Sequence, residues 1–166
     1  MIEVSRPARA WIGLGSNLDD PLRQIGRAFD ELGAIARTRL LRRSRLYRTA
    51  PWGVTDQPAF VNAVAEILTG LDPRDLLAAL LALERRHGRH RDGTRWGPRT
   101  LDLDLLVHGD CRINAPGLAL PHPRIAERAF VLVPLAEVDP GLCIPGVGVV
   151  RTLLGHVDVG DCVGID

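Results

Sequence analysis

The ten residues RWGPRTLDLD, at positions 95–104, carry the side chains best suited to chemistry in this chain. Asp102 and Asp104 stand two apart within an alternation of leucines, Leu101, Leu103 and Leu105. On a β-strand that spacing sends both carboxylates to one face and the leucines to the other. Carboxylates paired on one face can share one or two magnesium ions, which prefer a few carboxylates completed by water and phosphate oxygens. Metals held this way clamp a polyphosphate and activate an attacking hydroxyl. Spacing alone leaves a second reading open, a solvated acidic face on an edge strand.

The neighbouring charges favour the metal. Arg85, Arg86, Arg89, Arg91, Arg95 and Arg99 crowd the stretch before the two aspartates, and guanidinium groups donate fork-like hydrogen bonds to phosphate. All 21 basic side chains are arginine, and lysine is absent. A P-loop lysine and a Schiff-base lysine are thereby excluded, so phosphate chemistry must rest on arginine, backbone amides, histidine or metal. His122 lies in LPHPRIAERAF with Arg124 and Arg128, where phosphate contact competes with a purely structural role. Phe60 and Asn62 share a strand face. An aromatic can stack on a flat heterocycle and a carboxamide can read its edge, although core packing alone would also account for Phe60. The GLGSN segment at 13–17 lacks the third glycine of a dinucleotide fingerprint and reads as a tight turn after a strand.

The elements that must position these groups follow from periodicity. Residues 10–15 read as a short buried strand, and residues 22–35 repeat apolar side chains at helical spacing. Residues 39–47 are extended in character, and 49–58 form a loop broken by two prolines and a glycine. A strand is expected over 60–68, then a helix from Asp72-Pro73 to about His87, with proline in its first turn. An arginine-rich loop at 88–98 leads into a strand at 101–108. Short strands near Arg112 and Leu118, a helix within 125–137 and a last helix near 151–156 complete the reading. The order strand, helix, strand, strand, helix, strand is the split βαβ pattern of ferredoxin-like folds. It predicts an α+β sandwich, with helices covering one face of a mostly antiparallel sheet.

Length and composition set the frame. At 166 residues the expectation is a single domain over 1–166, with apolar residues making up 46% of the chain, enough for one sizeable core. No apolar run is long enough for a transmembrane helix, and the first nine residues lack the apolar stretch of a signal peptide, so a cytoplasmic enzyme without a membrane partner is expected. A net charge of +1 argues against a general nucleic-acid binder. Cys111, Cys143 and Cys162 are too widely spaced for a zinc or redox motif and read as ordinary thiols.

Four segments together resemble the 6-hydroxymethyl-7,8-dihydropterin pyrophosphokinases: IGLGSNL, YRTAPWGVTDQPAFVNAV, ERRHGRHRDGTRWGPRTLDLDLL and LPHPRIAERAFVLVPL. The resemblance runs from about residue 11 to 140. It implies a ferredoxin-like fold, a monomer, and transfer of the β,γ-pyrophosphate of ATP to the hydroxymethyl group of a reduced pterin, with release of AMP. It implies that Asp102 and Asp104 hold two magnesium ions and that Arg89 and Arg99 neutralise the transferring phosphates. Glu84, Arg91, Trp96, Leu105, His122 and Arg128 would complete the ATP site. Phe60 and Phe130 would sandwich the pterin, while Asn62 and the chain around Thr49, Ala50 and Trp52 read its edge. Trp96 and Asp102 would also face the pterin, and the loops at 49–58 and 88–98 would close over both substrates. The chain departs from the family pattern at Ala50, where a second proline is familiar, at Asp92, and at Pro123. The stretch after Pro140 matches poorly and receives no role.

Two other readings share this fold. A metal-dependent nucleotidyltransferase also places D-x-D on a strand, but the chain lacks a Gly-Ser turn upstream and a third carboxylate strand. An RNA-binding module would need exposed aromatics on its central strands, and only 4% of the residues are aromatic.

Overall fold

The computed structural model describes residues 6–50, 56–88 and 100–165. The chain begins with β1 (Ala8–Ser16) and α1 (Pro21–Gly33), followed by β2 (Thr38–Arg43), β3 (Leu46–Thr49) and β4 (Phe60–Thr69). Next come α2 (Pro73–Arg86) and β5 (Asp102–His108), then the hairpin β6 (Ile113–Ala115) and β7 (Leu118–Leu120). The remainder comprises α3 (Ala129–Val138), β8 (Cys143–Ile144), β9 (Gly148–Val149), α4 (Val150–Leu154) and β10 (Val163–Ile165). The main sheet runs β10-β3-β4-β1-β5, with β2 also pairing β4, and each of these pairings is antiparallel.

Local chemistry starts and stops the helices. The Asp72 side chain accepts the Asp75 backbone N–H at 2.8 Å, and Pro73 fills the first turn, where an N–H would lack a partner. Arg85 and Arg86 close α2 where its dipole favours cations. Pro21 opens α1, whose buried stripe is Ile25, Ala28, Phe29 and Leu32.

The sheet has two covered faces. Ala10, Ile12, Leu14, Val61, Ala63, Ala65, Ile67, Leu103 and Leu105 pack with the α1 and α2 stripes. The opposite side chains Trp11, Val64 and Leu106 pack with Val131, Leu135 and Val138 of α3 and with Val150. Helices on one face are therefore only half of the arrangement. Helix α3 is almost wholly apolar, so its sequence carries no stripe to say which face it covers.

The single strand expected over 39–47 is two, because Ser44 interrupts it. Its hydroxyl accepts the Val64 N–H at 2.9 Å, in place of a backbone carbonyl, while its own N–H donates to the Val64 carbonyl at 2.9 Å. Both halves still pair with β4. The tail, given no role from sequence, supplies β10, which pairs with β3 along the sheet edge. No helix among the described residues is long and apolar enough to cross a membrane.

Candidate active site

Strand register gathers the polar side chains. Asn62 on β4 lies opposite Gly15 on β1, which lies opposite Asp102 on β5. One row further along, Val64, Gly13 and Asp104 align in the same way. On the far side of β4, Tyr47 pairs with Asn62 and Thr49 with Phe60. Directly opposed residues share a face, so Thr49, Phe60, Asn62, Asp102 and Asp104 all stand on the α3 side of the sheet. There α3 stops short of covering the strands, and its N-terminal end supplies Phe130 and Val131 to the same space.

The result is a cavity of about 240 Å³. Its floor is Gly13, Leu14 and Gly15, its aromatic walls are Phe60 and Phe130, and its polar groups come from Thr49, Asn62, Asp102, Asp104, His122 and Arg128. The Asn62 Nδ2 donates to Thr49 Oγ1 at 2.7 Å, which fixes the amide against the strand. Arg128 lies over the Phe130 ring, 5.5 Å from its centroid. Its Nε is buried and has no hydrogen-bond partner among the described residues. Burial pulls the Arg128 guanidinium below its ordinary value, while the carboxylate of Asp104 opposes that shift.

His122 is held by backbone on both sides: its N–H donates to the Leu106 carbonyl at 2.9 Å, and its Nδ1 accepts the Arg124 N–H at 3.2 Å. Burial, followed by the charge of Arg128, lowers its pKa to about 4, against an opposing pull from Asp102. The ring is therefore neutral near pH 7, and with Nδ1 accepting, the proton sits on Nε2 as a donor.

Glu84 and Leu105 do not line this cavity. Glu84 is buried on α2, and its Oε2 accepts the N–H of Leu103 at 2.8 Å, between the two aspartates. Leu105 packs in the core beneath α1 and α2. Trp52, Arg89, Arg91, Trp96 and Arg99 lie outside the described residues. Ala50 lines the cavity beside Thr49. Sequence reading missed Gly13, Gly15 and Val131. The signal for the glycines was their parity with Trp11 within the strand expected over 10–15, which β1 extends to Ser16, so the turn begins after the GLGS stretch.

Two carboxylates on adjacent same-face positions suit a hard cation that draws its other ligands from phosphate and water. Among the described residues no three His, Cys, Asp or Glu side chains cluster to hold a metal by themselves.

The family model for 7,8-dihydro-6-hydroxymethylpterin-pyrophosphokinase matches residues 11–140. The chain is 50% identical over 137 residues to the 2-amino-4-hydroxy-6-hydroxymethyldihydropteridine pyrophosphokinase of Pseudomonas aeruginosa, covering 82% of this chain and 84% of that protein. It is 45% identical over 150 residues to the enzyme of the same name from Methylorubrum extorquens, covering 90% and 94%. Among solved structures, wild-type Plasmodium falciparum HPPK-DHPS with pteroate superposes with a TM-score of 0.72 at 14% identity, over 93% of this chain and 43% of that one. The chain spans less than half of that solved protein, and the likeness speaks for the fold.

Proposed function

The chain belongs to the 7,8-dihydro-6-hydroxymethylpterin-pyrophosphokinase family, and from that premise we propose how its own residues divide the work of transferring pyrophosphate from ATP to the hydroxymethyl group of a reduced pterin. The reaction serves folate biosynthesis and leaves AMP. Membership decides against both the nucleotidyltransferase and the RNA-binding module.

One observation carries the assignment of roles: a single cavity is lined by Phe60, Phe130 and Asn62 together with Asp102 and Asp104. The first three make a site for a flat, amide-edged heterocycle, and the last two make a site for metal-bound phosphate. Phe60 and Phe130 hold the ring between aromatic faces. Asn62, tethered by Thr49, and the chain at Ala50 read the ring's edge. Asp102 and Asp104 would hold magnesium, two ions in this reading, which would supply charge neutralisation for the phosphates. Asp102 sits in the same row as Asn62, so a pterin read by Asn62 extends its hydroxymethyl arm toward Asp102.

Arg128 and the Nε2–H of His122 donate to phosphate oxygens from the opposite side, and the neutral ring of His122 adds no competing charge beside the metal. Arg89, Arg91, Trp96 and Arg99, which precede β5, complete the nucleotide site in the role the family pattern gives them, while Glu84 and Leu105, both buried, support β5 rather than line that site, and Trp52 completes the pterin site. No protein nucleophile is needed, because the substrate alcohol itself attacks the β-phosphorus. Catalysis is then positioning and charge neutralisation. The enzyme acts as a cytoplasmic monomer on small-molecule substrates.

The test is product analysis. Purified protein with magnesium, ATP and 6-hydroxymethyl-dihydropterin should form AMP, and only when the pterin is present. Formation of ADP, or of AMP without pterin, would refute the reading.

A further inference from the structure

Gly15 lies in the interior of β1, where glycine weakens a strand and gives it nothing to pack. Its backbone does not require glycine, because the positive-φ glycines among the described residues are all elsewhere. The reason lies on the cavity side. A Cβ at position 15 would stand 3.0 Å from Asn62 Oδ1, closer than ordinary van der Waals contact. At Gly13, one row along, the nearest atom would be the flexible Leu106 side chain at 3.5 Å. The space at Gly15 is thus taken by the carboxamide of Asn62.

That carboxamide cannot turn away without cost. Its Nδ2 donates to Thr49 Oγ1 at 2.7 Å, and the pair is buried. A methyl group at position 15 would displace Oδ1 from the floor or break the tether to Thr49. Gly15 is also the residue between Asn62 and Asp102 across three adjacent strands. Two strand spacings are roughly 10 Å, about the length of a bicyclic ring with a one-carbon arm.

We infer that Gly15 is a specificity-determining residue of the pterin subsite: its missing side chain seats the Asn62 amide and keeps the floor level between that amide and Asp102. The inference rests on the pterin reading given above. It assigns to position 15 discrimination for the pterin and not for the nucleotide.

The experiment measures the dissociation constants of the reduced pterin and of a non-hydrolysable ATP analogue with magnesium, for wild type, Gly15→Ala, Asn62→Ala and the double variant. Gly15→Ala should weaken pterin binding about tenfold or more, the scale of one misplaced methyl group against a polar contact. Nucleotide binding should stay within about twofold of wild type, less than half a kcal/mol. The double variant should bind pterin no more weakly than Asn62→Ala alone, since both changes remove the same contact. Wild-type pterin affinity in folded Gly15→Ala, equal losses for both ligands, or additive losses in the double variant would each overturn the inference. If Gly15→Ala alone fails to fold, removing the contacted oxygen with Asn62→Ala should restore folding, and a double variant that stays unfolded overturns it. A wild-type chain that binds no reduced pterin sinks the functional reading and this inference together. Wild-type binding with an unaffected Gly15→Ala sinks the inference alone.

Discussion

Tyr47 donates its phenolic hydroxyl to Glu137 Oε1 at 2.5 Å, joining β3 to the last turn of α3 across ninety residues of chain. The same carboxylate accepts the Arg45 backbone N–H at 2.7 Å and its guanidinium Nε at 3.3 Å. Strand β3 ends at Thr49, and the first turn of α3 carries Phe130, and both residues line the cavity. Glu137 therefore ties together two elements that carry cavity residues without lining the cavity itself.

Replacing Glu137 with alanine strands a half-buried phenol and a backbone N–H, which should cost about 1–3 kcal/mol. For a chain of this size that is a fall on the order of 2–12 °C in Tm. The Michaelis constant for the pterin should rise more than that for ATP. Burial pushes the Glu137 carboxyl up, but hydrogen bonds from Tyr47 and Arg45 outweigh it and hold the group below its ordinary value. A depressed carboxylate stabilises the fold above its unfolded pKa, and the contribution is lost as pH falls through the folded value. Thermal melts in acid should show that loss in wild type and less of it in Tyr47→Phe. Identical acid limbs would remove Glu137 from this role.

The paired aspartates were legible because strand alternation and chemistry agreed: leucines that want burial alternate with acids that do not. The capped start of α2 was legible for a similarly local reason. What stayed hidden was decided at a distance. Ser44 reads as one more residue of an extended run until its hydroxyl is seen to replace a carbonyl opposite Val64. Helix α3 has no polar face, so only the packed sheet decides its side. Gly15 falls in a stretch that reads as strand, but nothing local says why it is glycine, because the atom that crowds it, Asn62 Oδ1, is on another strand. Glu84 sits on the buried face of α2, and its bond to the Leu103 N–H forms only when β5 docks against that face.

That partner gives a second prediction. Glu84 is 3% exposed and its carboxylate accepts the N–H of the residue between Asp102 and Asp104. Glu84→Gln keeps an oxygen acceptor and should retain most activity. Glu84→Ala leaves a buried N–H unsatisfied, costing about 1–3 kcal/mol of stability, and frees the strand segment that spaces the two carboxylates. The magnesium concentration giving half-maximal rate should rise in Glu84→Ala and much less in Glu84→Gln. Equal magnesium dependence in both variants would separate Glu84 from the metal site.

His122 provides a pH signature. Its pKa is about 4, lowered by burial and by Arg128, against 6.5 for an ordinary histidine. The unfolded chain therefore takes up this proton at higher pH than the folded one does. Its contribution to stability is complete above about pH 6.5 and declines as pH falls toward about 4. Ring resonances of His122 should not move between about pH 8 and about pH 5.5, where an unperturbed histidine titrates. Denaturation midpoints should fall over the acid part of that range in wild type, and less so in His122→Gln. A His122 ring that titrates near its ordinary value would contradict the neutral donor assigned to it.

Asp104 is the sharpest test of the metal assignment. It aligns with Gly13 on the cavity face of β5, while its neighbours Leu103 and Leu105 are buried on the other face. Asp104→Ala removes a carboxylate and leaves that apolar face intact, so the protein should fold with a Tm close to wild type. Charge stabilisation by metal is worth several kcal/mol, so turnover should fall roughly a hundredfold or more. Asp104→Asn, which keeps the shape and loses the charge, should behave like alanine in turnover, and excess magnesium should recover part of the rate in both. Pterin affinity should change little, because Phe60, Asn62 and Phe130 stay in place. A folded Asp104→Ala with near-normal turnover would show that Asp104 holds no metal needed for the reaction.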